Sequence, residues 1–98
     1  MKSAFEIATD VVDKRTSATE TTELALERIA ARDGAIAAFR ETHDDAALAR
    51  AAGIDMRAAD HGDVGPLAGA PIAIKDNIAS TVGRTSAGSR YLEEYTSP

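Results

Sequence analysis

A lysine closing a short apolar run is the residue of this chain best suited to do chemistry. Lys75 follows Ile72-Ala73-Ile74, and Asp76-Asn77 comes after it. Gly65-Pro66 and Gly69-Ala70-Pro71 stand before the run and forbid a helix through it, because proline fixes φ and lacks an N–H. Pro71 is tolerated as the first residue of a strand. Residues 72–74 therefore predict a short buried strand, which the turn-forming Asp76-Asn77 ends. Strand side chains alternate faces, so Ile72 and Ile74 share one face while Ala73 and Lys75 share the other. A small neighbour leaves room for something to approach the lysine. In one reading the stem packs and the ammonium reaches water. In the other the amine sits against a partly buried site, where burial disfavours the charged form and frees a neutral base. Spacing alone does not choose between them.

The remaining polar residues offer less. Gly83-Arg84-Thr85-Ser86-Ala87-Gly88-Ser89 is small and polar. It is either a flexible loop or a source of backbone N–H groups and hydroxyls for a pocket. It lacks the Gly-Lys-Ser/Thr of a phosphate loop. Arg84 and Arg90 read as surface or capping charges. Asp44, Asp45, Asp55, Asp60 and Asp63 do not follow a calcium-loop spacing and read mostly as a solvated face. His43 and His61 are not at metal-motif spacing, and the absence of cysteine excludes disulfides and Cys-ligated metal. No metal site is expected.

Three helices should position these residues. Ser3-x-x-Glu6 is a capping box, and Ala4, Ile7, Ala8, Val11 and Val12 make one apolar stripe, predicting a helix over 4–14 with basic Lys14-Arg15 at its end. Ser17-x-x-Glu20 repeats the box, and Arg32-Asp33-Gly34 supplies a stop, predicting a helix over 18–32. Ile36–Phe39 is a second strand candidate, with Arg40 as its exit. Thr42-x-x-Asp45 is a third capping signal for a helix over 43–60, with Ala46, Leu48, Ala49, Ala52 and Met56 on its apolar side. Gly53 within it suggests close helix contact, since a helical glycine otherwise costs ~1 kcal/mol. Residues 78–82 could extend or pair with the lysine strand. Residues 90–95 predict a short helix. No repeat or linker divides the chain.

Composition sets the bounds. Ninety-eight residues allow one small domain. The net charge of −5 argues against non-specific binding to nucleic acid or anionic membrane. No apolar run approaches the length of a membrane span, and the opening residues lack the apolar core of a signal peptide. A soluble cytoplasmic chain is the expectation. Alanine accounts for 21 of the apolar residues, while Leu, Ile, Val and Phe together number 18. Alanine buries little area, so the core should be thin and suited to packing against a larger body.

The segments GPLAGAPIAIKDNI (65–78) and GRTSAGSRYLEEYTSP (83–98), in that order, resemble the amidase signature family. Within it they resemble most the A subunits of glutamine-dependent aspartyl/glutamyl-tRNA amidotransferases. SATETTELALERIAARDGAIAAF (17–39) resembles the family's N-terminal helix and first strand. The resemblance implies an α/β fold, a mixed sheet covered by helices, of which this chain would be the N-terminal part: three helices, a Gly/Pro loop, then short strands. It implies a Ser–Ser–Lys catalytic set with Lys75 as general base, activating a nucleophilic serine through a bridging one. The family places both serines in a Gly/Ser-rich segment downstream of the lysine. Ser80, Ser86, Ser89 and Ser97 do not stand in that motif. Residues 1–98 are accordingly expected to be the N-terminal portion of a single amidase domain that stops before its serines, and to be inactive alone. The implied substrate is glutamine, with ammonia passing to a partner subunit. No cofactor is expected on this chain; ATP and Mg would serve the partner, and tRNA would be met only through the complex. A general aliphatic or aryl amidase is one alternative, and a non-catalytic binding or assembly module another.

Overall fold

A computed structural model describes residues 1–98. Three helices, α1 (Ala4–Val12), α2 (Ala18–Ile36) and α3 (Asp44–Ala59), precede a long irregular segment that ends in a single 3-10 turn, Arg90–Leu92. The capping box of α1 forms as expected. The Ser3 hydroxyl accepts from the Glu6 amide at 3.2 Å, and the Glu6 carboxylate accepts from the Ser3 amide at 2.7 Å. At α2 only half the box forms. Ser17 Oγ accepts from the Glu20 amide at 3.0 Å, while the Glu20 carboxylate turns to the Thr16 hydroxyl at 2.7 Å. A third residue completes that helix start from a distance. Asp55, in α3, accepts from the Ala18 amide at 2.6 Å, the Thr19 amide at 3.0 Å and the Thr19 hydroxyl at 2.6 Å. Asp55 thus docks α3 on the N-terminus of α2, where its charge also meets the positive end of the helix dipole.

Helix ends depart from expectation. Helix α1 stops at Val12, not at residue 14, because Lys14 takes a left-handed conformation (φ 59°). The Lys14 amide then bonds to the Val11 carbonyl and the Arg15 amide to the Asp10 carbonyl, the Schellman pattern that satisfies a helix end. Helix α2 runs past Gly34 to Ile36 and is closed by Ala37 in the left-handed region (φ 53°). The strand expected over Ile36–Phe39 is absent. Ile36 belongs to the helix, and the Asp33 carboxylate takes the amides of Ala38 (2.7 Å) and Phe39 (3.3 Å), which a strand would have given to a neighbour. Helix α3 begins at Asp44 after His43, which makes no side-chain cap, so the signal at Thr42 misplaces the cap by a residue. A methyl group at Gly53 would meet nothing within 4 Å, so this glycine does not mark a close helix contact.

Helices α2 and α3 form the main packed pair, and α1 touches α3. The buried apolar residues are Ala8, Val11, Ala18, Ala51 and Ala68, with Val11 the only large side chain fully enclosed. The Gly/Pro loop is fastened where α1 and α2 meet. The Thr21 hydroxyl donates to the Gly69 carbonyl at 2.6 Å, and Gly69 has φ +75°. A Cβ there would lie 2.7 Å from Val11 Cγ2 and 3.1 Å from Ala18 Cα, so only glycine fits.

No strand is present. Residues 72–74 are irregular rather than a buried strand, and Ile72 and Ile74 are 70% and 59% exposed. No main-chain group of residues 72–74 enters a hydrogen bond outside the helices. A strand is defined by a ladder, and no other segment among these residues supplies one. Residues 78–82 likewise neither extend nor pair with this stretch. The helix expected over 90–95 is the 3-10 turn alone, opened by Ser89 Oγ accepting from the Tyr91 amide at 3.3 Å.

Candidate active site

Lys75 lies at the exit of the irregular run, with its side chain exposed. None of the six ion pairs includes it. Its carbonyl accepts from the Ile78 amide at 2.9 Å, which makes Lys75 the first residue of a tight turn through Asp76 and Asn77. The small neighbour Ala73 is exposed as well, so the approach to the amine is open.

Asp76 ties that turn to the loop that follows. Its carboxylate accepts from the Ser86 amide at 3.0 Å, from the Ser86 hydroxyl, and from the Gly88 amide at 3.4 Å. Its carbonyl accepts from the Ala87 amide at 3.1 Å. Arg40 Nε lies 3.4 Å from the carboxylate. The hydroxyl and amide of Ser86 hold the Asp76 carboxyl below the usual carboxylate range, and Gly88 and Arg40 act the same way. Ser86 and Thr85 are both buried, and the Thr85 amide donates to the Tyr95 carbonyl at 3.0 Å. The Thr85 hydroxyl is buried without a partner.

The connection between α2 and α3 grips the same loop. Glu41 accepts from the Arg84 amide at 3.3 Å and lies 3.6 Å from Arg84 Nε. The His43 ring sits against Gly83, whose φ of +74° and missing Cβ leave room for it; a Cβ there would come within 2.2 Å of the ring. Arg40, Glu41 and His43 thus hold the segment 83–88 from one side, while Asp76 holds it from the other.

The loop amides expected to line a pocket are therefore largely spent, since those of Ser86, Ala87 and Gly88 all donate to Asp76. Arg84 is a surface charge paired with Glu41 and Glu94, and Arg90 opens the 3-10 turn. A depression of about 520 Å³ at the start of α3, lined by Thr42, His43, Asp44, Asp45, Ala46 and Val82, does not include Lys75. Sequence reasoning read Asp76 only as turn chemistry and Arg40 only as a strand exit. No local signal marks them, because Ser86 and Arg40 reach Asp76 from distant positions in the chain. Asp55, read as part of a solvated face, instead caps α2. Burial opposes its charge, but the hydrogen bonds from Thr19 and Ala18 outweigh that and hold its carboxyl below the usual range.

Residues 20–98 match the family model described as Amidase. The A subunit of the glutamyl-tRNA(Gln) amidotransferase of Thermobifida fusca is 42% identical over 96 residues, covering 98% of this chain and 19% of the relative. The protein of the same name in Chlamydia trachomatis is 40% identical over 97 residues, covering 99% of this chain and 20% of the relative. That of Streptococcus suis is 42% identical over 94 residues, covering 96% and 19%. The chain spans about a fifth of the length of the curated relatives it matches. No solved structure matches it. The matched residues take in α2, α3, the Gly/Pro loop, Lys75 and the Asp76-bound loop together, and on that extent of similarity the chain belongs to the amidase family.

Proposed function

We propose that this chain supplies the catalytic lysine of an amide-hydrolysing site of the kind found in the A subunits of glutamyl-tRNA amidotransferases. Lys75 is the general base. Its amine takes a proton from a bridging serine, which in turn activates a nucleophilic serine for attack on the amide carbonyl. An acyl-enzyme forms, ammonia leaves, and water releases the acid. Residues 1–98 form the N-terminal, lysine-bearing portion of one amidase domain, and the serines belong to a Gly/Ser-rich segment outside these residues. The amide is glutamine, and the ammonia serves a partner subunit that activates misacylated tRNA with ATP. This chain binds no cofactor of its own and meets tRNA only through that complex. The observation that carries the reading is the exposed, unpaired Lys75 at the head of a turn clamped to the Thr85–Gly88 loop, within the residues that match the family.

A chimaera tests it. These residues replace the aligned stretch of the Thermobifida fusca relative, and ammonia release from glutamine is measured. The chimaera should turn over glutamine, and Lys75→Ala should lower kcat by about a hundred- to ten-thousandfold, the range for a lost general base. A Lys75→Ala chimaera as active as its parent removes Lys75 from the mechanism.

A further inference from the structure

We infer that Asp76 is the positioning residue of Lys75: it locks the turn that aims the lysine by binding the buried Ser86 and the neighbouring loop amides, with Arg40 closing the clamp. This rests on the reading of Lys75 as the base. A base must be held in a narrow range of positions to transfer a proton well, and an exposed lysine on an irregular segment has nothing of its own to hold it. The run before Lys75 has no ladder, and the lysine has no ion-pair partner. What fixes its backbone is the turn bond from Ile78 and, one residue on, the bonds converging on Asp76.

Those bonds come from two different parts of the chain. Ser86, Ala87 and Gly88 approach from the loop, and Arg40 from the connection after α2. A Cβ at Gly88 would lie 3.5 Å from Arg40 Nη2, so the guanidinium spans both the carboxylate and the loop. Ser86 is buried and gives both its hydroxyl and its amide to the same carboxylate. A surface aspartate that merely ended a strand would not gather this set. The arrangement transmits the position of the α2–α3 scaffold to the residue beside the lysine.

The test uses the whole chain and needs no turnover. The protein has three lysines, Lys2, Lys14 and Lys75. Acetylation by a small water-soluble amine reagent is followed peptide by peptide, with Lys14 as the internal reference, in native buffer and in concentrated urea. Amide exchange of Ser86, Ala87 and Gly88 is measured alongside. The native Lys75/Lys14 ratio should differ from the urea ratio by about threefold, because a clamped turn restricts the approaches to the amine that a free chain allows. Ser86→Ala, which alters no charge, and Asp76→Asn should each bring the native ratio to its urea value and speed exchange at the three amides. If the amides open while the Lys75 ratio stays put, Asp76 is a staple of the loop only and the inference fails. It fails equally if the native and urea ratios already agree. Should Asp76→Asn unfold the helices, Ser86→Ala and the milder Arg40→Ala carry the same comparison. A failure of Lys75 as base appears instead in the chimaera's ammonia release, so the two ideas fall separately.

Discussion

Asp76 and its donors form the most connected polar group near the candidate base, and their chemistry fixes a pH response. The carboxyl is held below its usual range by the Ser86 hydroxyl first and then the Ser86 amide. A carboxylate stabilised in the folded state contributes above its unfolded value, about 3.9, and loses that contribution as pH falls through the lower folded value. Protection of the Ser86 and Gly88 amides, their exchange taken relative to the intrinsic rate at each pH, should therefore be constant near neutrality and fall below about pH 4. Amide exchange against pH checks this; protection already falling near neutrality would contradict it. Lys75 draws attention in the sequence because it closes a run whose composition marks it. The residues around Asp76 do not. Asp76 reaches Ser86 across ten positions, and Arg40 reaches Asp76 from another part of the chain, distances at which local patterns carry no signal. The orphaned Thr85 hydroxyl has no counterpart in any sequence rule.

At the scale of elements, two glycines predict opposite outcomes. Gly69 has φ +75° and would press a Cβ against Val11 and Ala18, whereas Gly53 lies inside α3 with open space around it. Gly53→Ala should stabilise the chain by about 1 kcal/mol through helix propensity. Gly69→Ala should destabilise it by about 2 kcal/mol or more, because the left-handed backbone and the close packing both oppose a side chain. Urea titration followed by circular dichroism checks both signs. The helices themselves were legible. The capping signals at Ser3, Ser17 and Thr42 give α1, α2 and α3 in the right order. Their ends were harder, because Lys14 and Ala37 adopt left-handed conformations usually reserved for glycine, while Gly34 sits inside α2. The expected strands failed for a different reason: a three-residue apolar run shows what a sheet would accept but not whether a neighbour is present to pair with it.

The whole molecule is alanine-built and thinly cored. Ten of its 98 residues are buried, and one large side chain is fully enclosed. Hydrophobic burial of that size supports little stability, and the extents of 45 × 33 × 20 Å describe a flattened body rather than a ball. Ile72, Ile74, Ile78, Tyr91 and Tyr95 are all exposed. Such a thin core is what the alanine-rich composition predicts. The purified chain by itself should release no ammonia from glutamine above the buffer blank, since a lysine without a nucleophile leaves little catalysis. Turnover by the isolated chain that Lys75→Ala abolishes would overturn that view.

The bond from Thr21 to Gly69 spans 48 positions of sequence, while α2 and α3 are joined by a short connection. Closing a loop of that length costs only slightly more than closing the one spanned by Asp55 and Ala18, because the entropic cost grows slowly with length. The Gly/Pro loop meets the helices through a slot that admits only a residue without a side chain. Lys75 follows that slot by six residues in the chain, so a side chain forced into the slot would loosen the anchor that stands just ahead of the candidate base.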